Sequence, residues 1–149
     1  MKKLFIILSM LVSLTAYGQT GSYALYDYNA AMYAVRYNHM EVRSIASITK
    51  LFTAMTIIRS GADLNEKIFV DGRSKGHVPR GVYMTRMDLM RSMIISSDNR
   101  AAETLAYHHP GGFDKFLFDV NNYVKDITLE NTVIVDSTGL KEGNKSTAR

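Results

Sequence analysis

The apolar positions change period along the chain, and each change marks an element. In SYALYD (22–27) and AMYAVRYN (31–38), tyrosine, leucine and valine recur at short intervals among small and polar residues, predicting two strands. Tyr28, Asn29 and Ala30 lie between them, so the pair reads as a hairpin. From about Ile48 to Ser60 the period lengthens. Ile48, Leu51, Phe52, Met55 and Ile58 fall at helical spacing, and Ala54 and Ile57 widen the stripe, predicting a helix buried on most sides and stopped by Gly61. From Asn65 to Tyr83, glycines and Pro79 interrupt any period, and the stretch reads as irregular surface chain. Thr85 with Asp88 resembles a capping box ahead of Leu89, Met90, Met93 and Ile94, a second helix. A third is expected over Asn99 to Tyr107, closed by His109, Pro110, Gly111 and Gly112. Phe113, Phe116, Leu117, Val120 and Val124 mark a fourth, and TVIVD (132–136) reads as a strand or an extended segment. A hairpin and a run of helices leave a two-stranded ribbon that is marginal by itself.

The chain opens MKKLFIILSMLVSLTAYGQT. Lys2 and Lys3 precede an apolar run from Leu4 to about Leu14, and Ala16 and Gly18 are small residues at −3 and −1 of a cut after Gly18. This is the pattern of a secretory signal peptide over 1–18, leaving 19–149 to work outside the cytoplasm. The alternative is an uncleaved anchor, but the run is short for a ~30 Å hydrocarbon core.

Composition narrows the classes. With 149 residues, 46% hydrophobic and 21% charged, the chain is globular rather than disordered and holds one domain at most, or a piece of a larger one. The net charge of +4 includes Lys2 and Lys3, and no basic stripe is interleaved with aromatics, so nucleic acid is not an expected partner. The absence of cysteine excludes disulfides and thiolate metal sites.

Two short constellations carry chemistry. Ser47 and Lys50, in SIASITKLFTAM, leave one face of the predicted helix. A neutral lysine amine there can take the serine proton and make a strong nucleophile, and the positive end of the helix disfavours the ammonium form. The spacing alone is weak, because roughly one such match arises by chance in a chain of this composition, and a capping serine with a surface lysine explains it equally. The second constellation is Ser97-Asp98-Asn99 in MIISSDNRAAETLA, at a junction between two helices. Each of the three is a good cap, but one cap needs only one of them. S-x-x-K followed by S-D-N is the pattern of penicillin-interacting serine enzymes, which add a K-T-G.

RSIASITKLFTAM, GHVPRGVYMTRMDLM, MIISSDNRAAETLAYHHPGG and VDSTGLKEGNKSTAR, in this order, resemble the low-molecular-mass penicillin-binding proteins, the serine D-Ala-D-Ala carboxypeptidases and endopeptidases of the peptidase S11 type. The endopeptidase branch is the nearer likeness. The resemblance implies an α/β (α+β) fold of the serine β-lactamase/D,D-peptidase type, with only its N-terminal portion over 19–149. It implies that Ser47 is the nucleophile, Lys50 the general base, Ser97 the proton relay to the leaving amine and Asn99 a substrate contact. Asp98 fills a variable position and receives no role; Ser96 offers a shifted register, but RAAETLA aligns the motif on Ser97. The implied partners are peptidoglycan stem peptides and, as covalent inhibitors, β-lactams; the implied location is the periplasm, with no cofactor and no metal.

The third motif is missing. Lys141-Glu142-Gly143 directly follows DSTGL and places a negative charge where the family binds a carboxylate, and Lys145-Ser146-Thr147 lacks the glycine. The chain therefore reads as the front part of a family domain, with two further expectations: a second chain that supplies the remaining strands, or an inactive remnant that binds cell-wall material. A zinc D,D-peptidase is a distant third reading. His39, His77, His108 and His109 have no H-x-x-x-H or H-x-H spacing and read as exposed polar residues, and the methionines and Tyr23, Tyr26 and Tyr33 as packing.

Overall fold

The computed structural model describes residues 21–149; the predicted signal peptide lies outside the described residues. The chain divides into two compact units, one ending at Glu41 and including Thr147–Arg149, the other Val42–Ser146.

The first unit contains the hairpin. β1 (Tyr23–Asp27) pairs antiparallel with β2 (Met32–Tyr37), Tyr23 opposite Tyr37 and Asp27 opposite Met32. Asp27 Oδ1 accepts the N–H groups of Asn29 (2.9 Å) and Ala30 (3.0 Å), which closes the turn. The tyrosines pack in cross-strand pairs, Tyr26 edge-on to Tyr33 at 5.1 Å and Tyr23 stacked on Tyr37 at 5.7 Å.

The second unit holds all four α-helices of the described residues. It starts with β3 (Arg43–Ser44), paired antiparallel with β6 (Lys145–Ser146). A 3₁₀ turn (Ala46–Ile48) leads into α1 (Thr49–Arg59). β4 (Lys67–Phe69) and β5 (Tyr83–Thr85) form a second ribbon, followed by α2 (Arg86–Ile95), α3 (Asn99–Tyr107) and α4 (Gly112–Asp126). Thr85 caps α2 as the capping-box pair predicts, accepting Asp88 N–H at 3.0 Å. α3 is the central helix and packs on α1, α2 and α4. Three of its buried side chains are alanines, Ala101, Ala102 and Ala106, so neighbours come close, and its own Leu105 packs in the core with Met93, Leu89, Phe116 and Val120.

Three expectations fail here. The predicted apolar face of α1 does not face the core: Ile48, Leu51, Met55 and Ile58 are 56, 55, 43 and 51% exposed. The buried side carries Thr49, Lys50, Thr53, Ala54, Thr56 and Ile57. Threonines can face inward because their hydroxyls find carbonyls: Thr53 bonds Ser137 O at 2.9 Å and Thr56 bonds Phe52 O on its own helix at 2.8 Å. The stretch from Asn65 to Tyr83, read as irregular, contributes β4 and buries Ile68, Val70 and Val78. His109, read as exposed, is 3% exposed, and its Nε2 lies 2.9 Å from Asp119 Oδ2. TVIVD is extended, with a single bridge from Val133 to Lys145.

Candidate active site

Ser47 sits in the 3₁₀ turn ahead of α1, and Lys50 is in the first turn of the helix. One helical turn separates them, and Lys50 Nζ lies 3.1 Å from Ser47 Oγ. Lys50 is 2% exposed. Burial drives its pKa below the ordinary lysine value, and the negative charges of Asp136 and Asp98 oppose that only in part. Ile48 and Phe52 do not provide this burial as the helical pattern suggests, since Ile48 faces solvent and Phe52 is half-buried. The amine instead donates to Thr138 O at 2.7 Å, from a loop 88 residues further on.

Asp136 and Asn144 organise that loop. Asp136 Oδ1 accepts the N–H groups of Thr138 (2.8 Å) and Gly139 (2.7 Å), and Oδ2 accepts Lys141 N–H (3.0 Å). Asn144, fully buried, accepts Val135 N–H on Oδ1 (2.9 Å) and donates to Asp136 Oδ1 (3.0 Å) and Lys141 O (2.9 Å). Two carbonyls are thereby aimed at α1: Thr138 O at Lys50 and Ser137 O at Thr53. Gly139 lies against the peptide that links Ala46 to Ser47. A Cβ there would run into Ala46 O, and φ is +84°. Only glycine permits this approach.

Ser97 comes from the α2–α3 junction, and its Oγ donates to Ser47 Oγ at 3.0 Å. Its φ is +53°, and Ala46 beside the nucleophile has φ +43°. Left-handed backbone costs a non-glycine residue about 1–3 kcal/mol and persists where the surroundings impose it. Here it brings two hydroxyls from distant elements together. The register on Ser97, not Ser96, is thus the one that meets Ser47.

Asp98 has a role that the sequence reading left blank. It is 2% exposed and caps α3 through Ala101 N–H (2.9 Å). Its other oxygen accepts His77 N–H and Val78 N–H (2.9 Å), pinning the 76–78 loop to the junction. Gly76 fits under it because a Cβ would meet the carboxylate. Between that loop and Ser96–Asn99 lies an open cleft of about 300 Å³, and Asn99 is on its wall. No three His, Cys, Asp or Glu side chains gather as metal ligands among the described residues.

A buried amine beside a serine hydroxyl, joined by a second serine from a helix junction, is the arrangement of acyl transfer by a lysine-activated serine. Comparison with known proteins agrees: a family model, Peptidase_S11, D-alanyl-D-alanine carboxypeptidase, matches residues 14–149. The chain belongs to that family.

The chain is 39% identical over 139 residues to the D-alanyl-D-alanine endopeptidase of Escherichia coli (strain K12), covering 87% of this chain and 44% of that protein. It is 36% identical over 138 residues to the D-alanyl-D-alanine endopeptidase of Pseudomonas aeruginosa, with the same two coverages. The chain thus spans less than half the length of these relatives. Among solved structures, penicillin binding protein 6B from Escherichia coli superposes with a TM-score of 0.75 at 28% identity, over 86% of this chain and 46% of that one. Cefotaxime-bound penicillin-binding protein D2 from Listeria monocytogenes gives 0.74 at 25%, over 85% and 56%. The mixed α/β fold is that of the D,D-peptidases.

Ser47, Lys50 and Ser97 are brought together, and Asn99 is on the adjoining cleft. Asp136, Thr138, Gly139 and Asn144 were missed as site residues. The run Asp136-Ser137-Thr138-Gly139 carries a turn signal, an Asx residue followed by glycine, but nothing local says that the turn is aimed at α1.

Proposed function

We propose that the chain is a serine-type D-Ala-D-Ala carboxypeptidase/endopeptidase that acts on peptidoglycan stem peptides through an acyl-enzyme on Ser47. The observation that carries this reading is the contact at 3.1 Å between Nζ of the buried, desolvated Lys50 and Oγ of Ser47, which is open to solvent. Neutral Lys50 takes the Ser47 proton as Oγ attacks the carbonyl carbon of the scissile D-Ala bond. The tetrahedral intermediate collapses, and the departing amine receives a proton through Ser97, which is within 3.0 Å of Ser47 Oγ. Water then hydrolyses the ester with Lys50 as base. Backbone N–H of Ser47 is one oxyanion donor, and Asn99 contacts the peptide. A β-lactam acylates the same Oγ and stays attached. The family, the relatives' names and the β-lactam-bound neighbour support this reading. It uses no cofactor and no metal. Residues 1–18 act as a secretory signal, so 19–149 works in the periplasm as the N-terminal part of a D,D-peptidase domain.

A second reading is favoured by the exposed Ile48, Leu51, Met55 and Ile58 on α1 and the turn that precedes it, beside the nucleophile. In it, the site works only when a further polypeptide covers α1 and supplies the K-T-G motif; without one the chain is an inactive remnant that binds cell-wall material. An oxyanion donor lost with that motif costs ~10²–10³ in rate. Incubation of the chain with a fluorescent penicillin, with Ser47→Ala as control, separates the two. A stoichiometric mass adduct lost in the control supports the first. A folded chain without adduct refutes it and leaves the second.

A further inference from the structure

The loop across the cleft from Ser97 has an unusual charge. RSKGHVPR (73–80) contains Arg73, Lys75, His77 and Arg80 and no acidic residue, in a chain whose charges are otherwise nearly balanced. Its backbone is fixed. Glu103 Oε2 accepts Arg73 N–H (2.5 Å) and Ser74 N–H (2.7 Å), Asp98 accepts His77 and Val78 N–H, and the Arg100 guanidinium donates to Val78 O (2.5 Å). The carboxylates of Glu103 and Asp98 are thus occupied by backbone donors and, at Glu103 Oε1, by Tyr107 Oη, which donates at 2.9 Å. Asp98, the one acid among the residues that line the cleft, is buried, whereas Lys75 and His77 are exposed on its wall.

The cleft adjoins the nucleophile, because Ser97 both contacts Ser47 and lines the cleft, so it is within reach of a peptide whose carbonyl is at Ser47. A rigid wall with a free ammonium group and no free carboxylate favours an anionic ligand group. We propose that Lys75, beside His77, is a specificity-determining residue that selects an acidic peptide, one bearing a free side carboxylate rather than its carboxamide. This deepens the proposed function and rests on Ser47 as the acyl-transfer nucleophile. Lys75 does not touch the reacting atoms; it acts on which peptide is held.

Two synthetic peptides ending in D-Ala-D-Ala test this, identical except that a γ-linked D-glutamate carries a free α-carboxylate in one and a carboxamide in the other. Titration of the full chain by calorimetry is expected to show the acid bound about threefold to fivefold more tightly, the range of an exposed ion pair. The preference shrinks with added salt, disappears in Lys75→Ala, survives in Lys75→Arg, and survives in Arg80→Ala, which removes a charge of the same loop outside the cleft lining. Equal binding of both peptides, binding of neither, a preference retained in Lys75→Ala, or one lost equally in Arg80→Ala overturns the proposal. Penicillin labelling of the same preparation separates the two ideas: an adduct without a charge preference overturns only the role of Lys75, and a charge preference without an adduct overturns only that of Ser47.

Discussion

Asp136→Ala removes the acceptor around which the 136–144 loop is wound. Five donors lose this partner: the N–H groups of Thr138, Gly139 and Lys141, the Thr138 hydroxyl, and the Asn144 amide. A hydrogen bond to a charged group contributes about 1.5–3 kcal/mol, and a buried donor left unmet costs ~1–3 kcal/mol. Five full penalties overstate the loss, because a loop without its centre relaxes and admits water; about 3–5 kcal/mol is expected. That is a large share of the ~5–15 kcal/mol of a small domain. Asp136→Asn keeps one oxygen for the four Oδ1 donors but turns an NH₂ toward Lys141 N–H, so about 1–2 kcal/mol is expected. All helices among the described residues lie in Val42–Ser146, so urea unfolding followed by far-UV circular dichroism reports this unit. Burial by itself pushes the Asp136 carboxyl up, but Gly139, Thr138, Lys141 and Asn144 outweigh it and hold the group below the usual carboxylate range. A depressed folded pKa stabilises above the unfolded value and is lost as pH falls through the folded one. Wild type therefore loses this contribution in acid, and Asp136→Asn flattens that arm of the curve. β-lactam acylation should fall more than tenfold in Asp136→Ala, about 1.4 kcal/mol in the barrier, because Thr138 O no longer holds Lys50. An Asp136→Ala protein with the wild-type urea midpoint and slope refutes the reasoning.

Lys50 titrates below the ordinary lysine value, so acylation should rise with pH to a midpoint on that lower side, and Lys50→Arg, which stays charged, should lose ~10² or more in rate. A flat pH profile counts against Lys50 as the base. Gly139→Ala forces a Cβ onto Ala46 O at a φ of +84°, so a loss of about 2–4 kcal/mol is expected, with β-lactam labelling reduced further than stability alone explains. Leu51→Lys should change the stability of this chain by less than ~0.5 kcal/mol, because Leu51 is 55% exposed; a loss above 2 kcal/mol would restore the buried apolar face that the helical pattern suggested.

The residues that act within one turn were legible. Thr85 and Asp88 bond each other at the start of α2, α3 starts at Asn99 and ends at Tyr107 as its pattern predicts, and Ser47 can meet Lys50 because residues three apart share one helix face. Ser97-Asp98-Asn99 satisfied both readings at once: Asp98 is the cap, and Ser97, freed from capping, reaches the nucleophile.

The sequence by itself determined the order of the helices, the Ser47–Lys50 pair and the hairpin, because backbone hydrogen bonding and side-chain periodicity work over a few residues. Tertiary structure decided which side of α1 is buried, since a threonine is tolerated inside only where a carbonyl such as Ser137 O is brought to it. It also decided the state of Lys50. The amine is desolvated by chain folded over it and held by Thr138 O, 88 residues away, at a position set by the carboxylate of Asp136. No local pattern encodes that contact, because it depends on a loop wound on its own internal bonds whose Ser137 and Thr138 carbonyls point outward to α1.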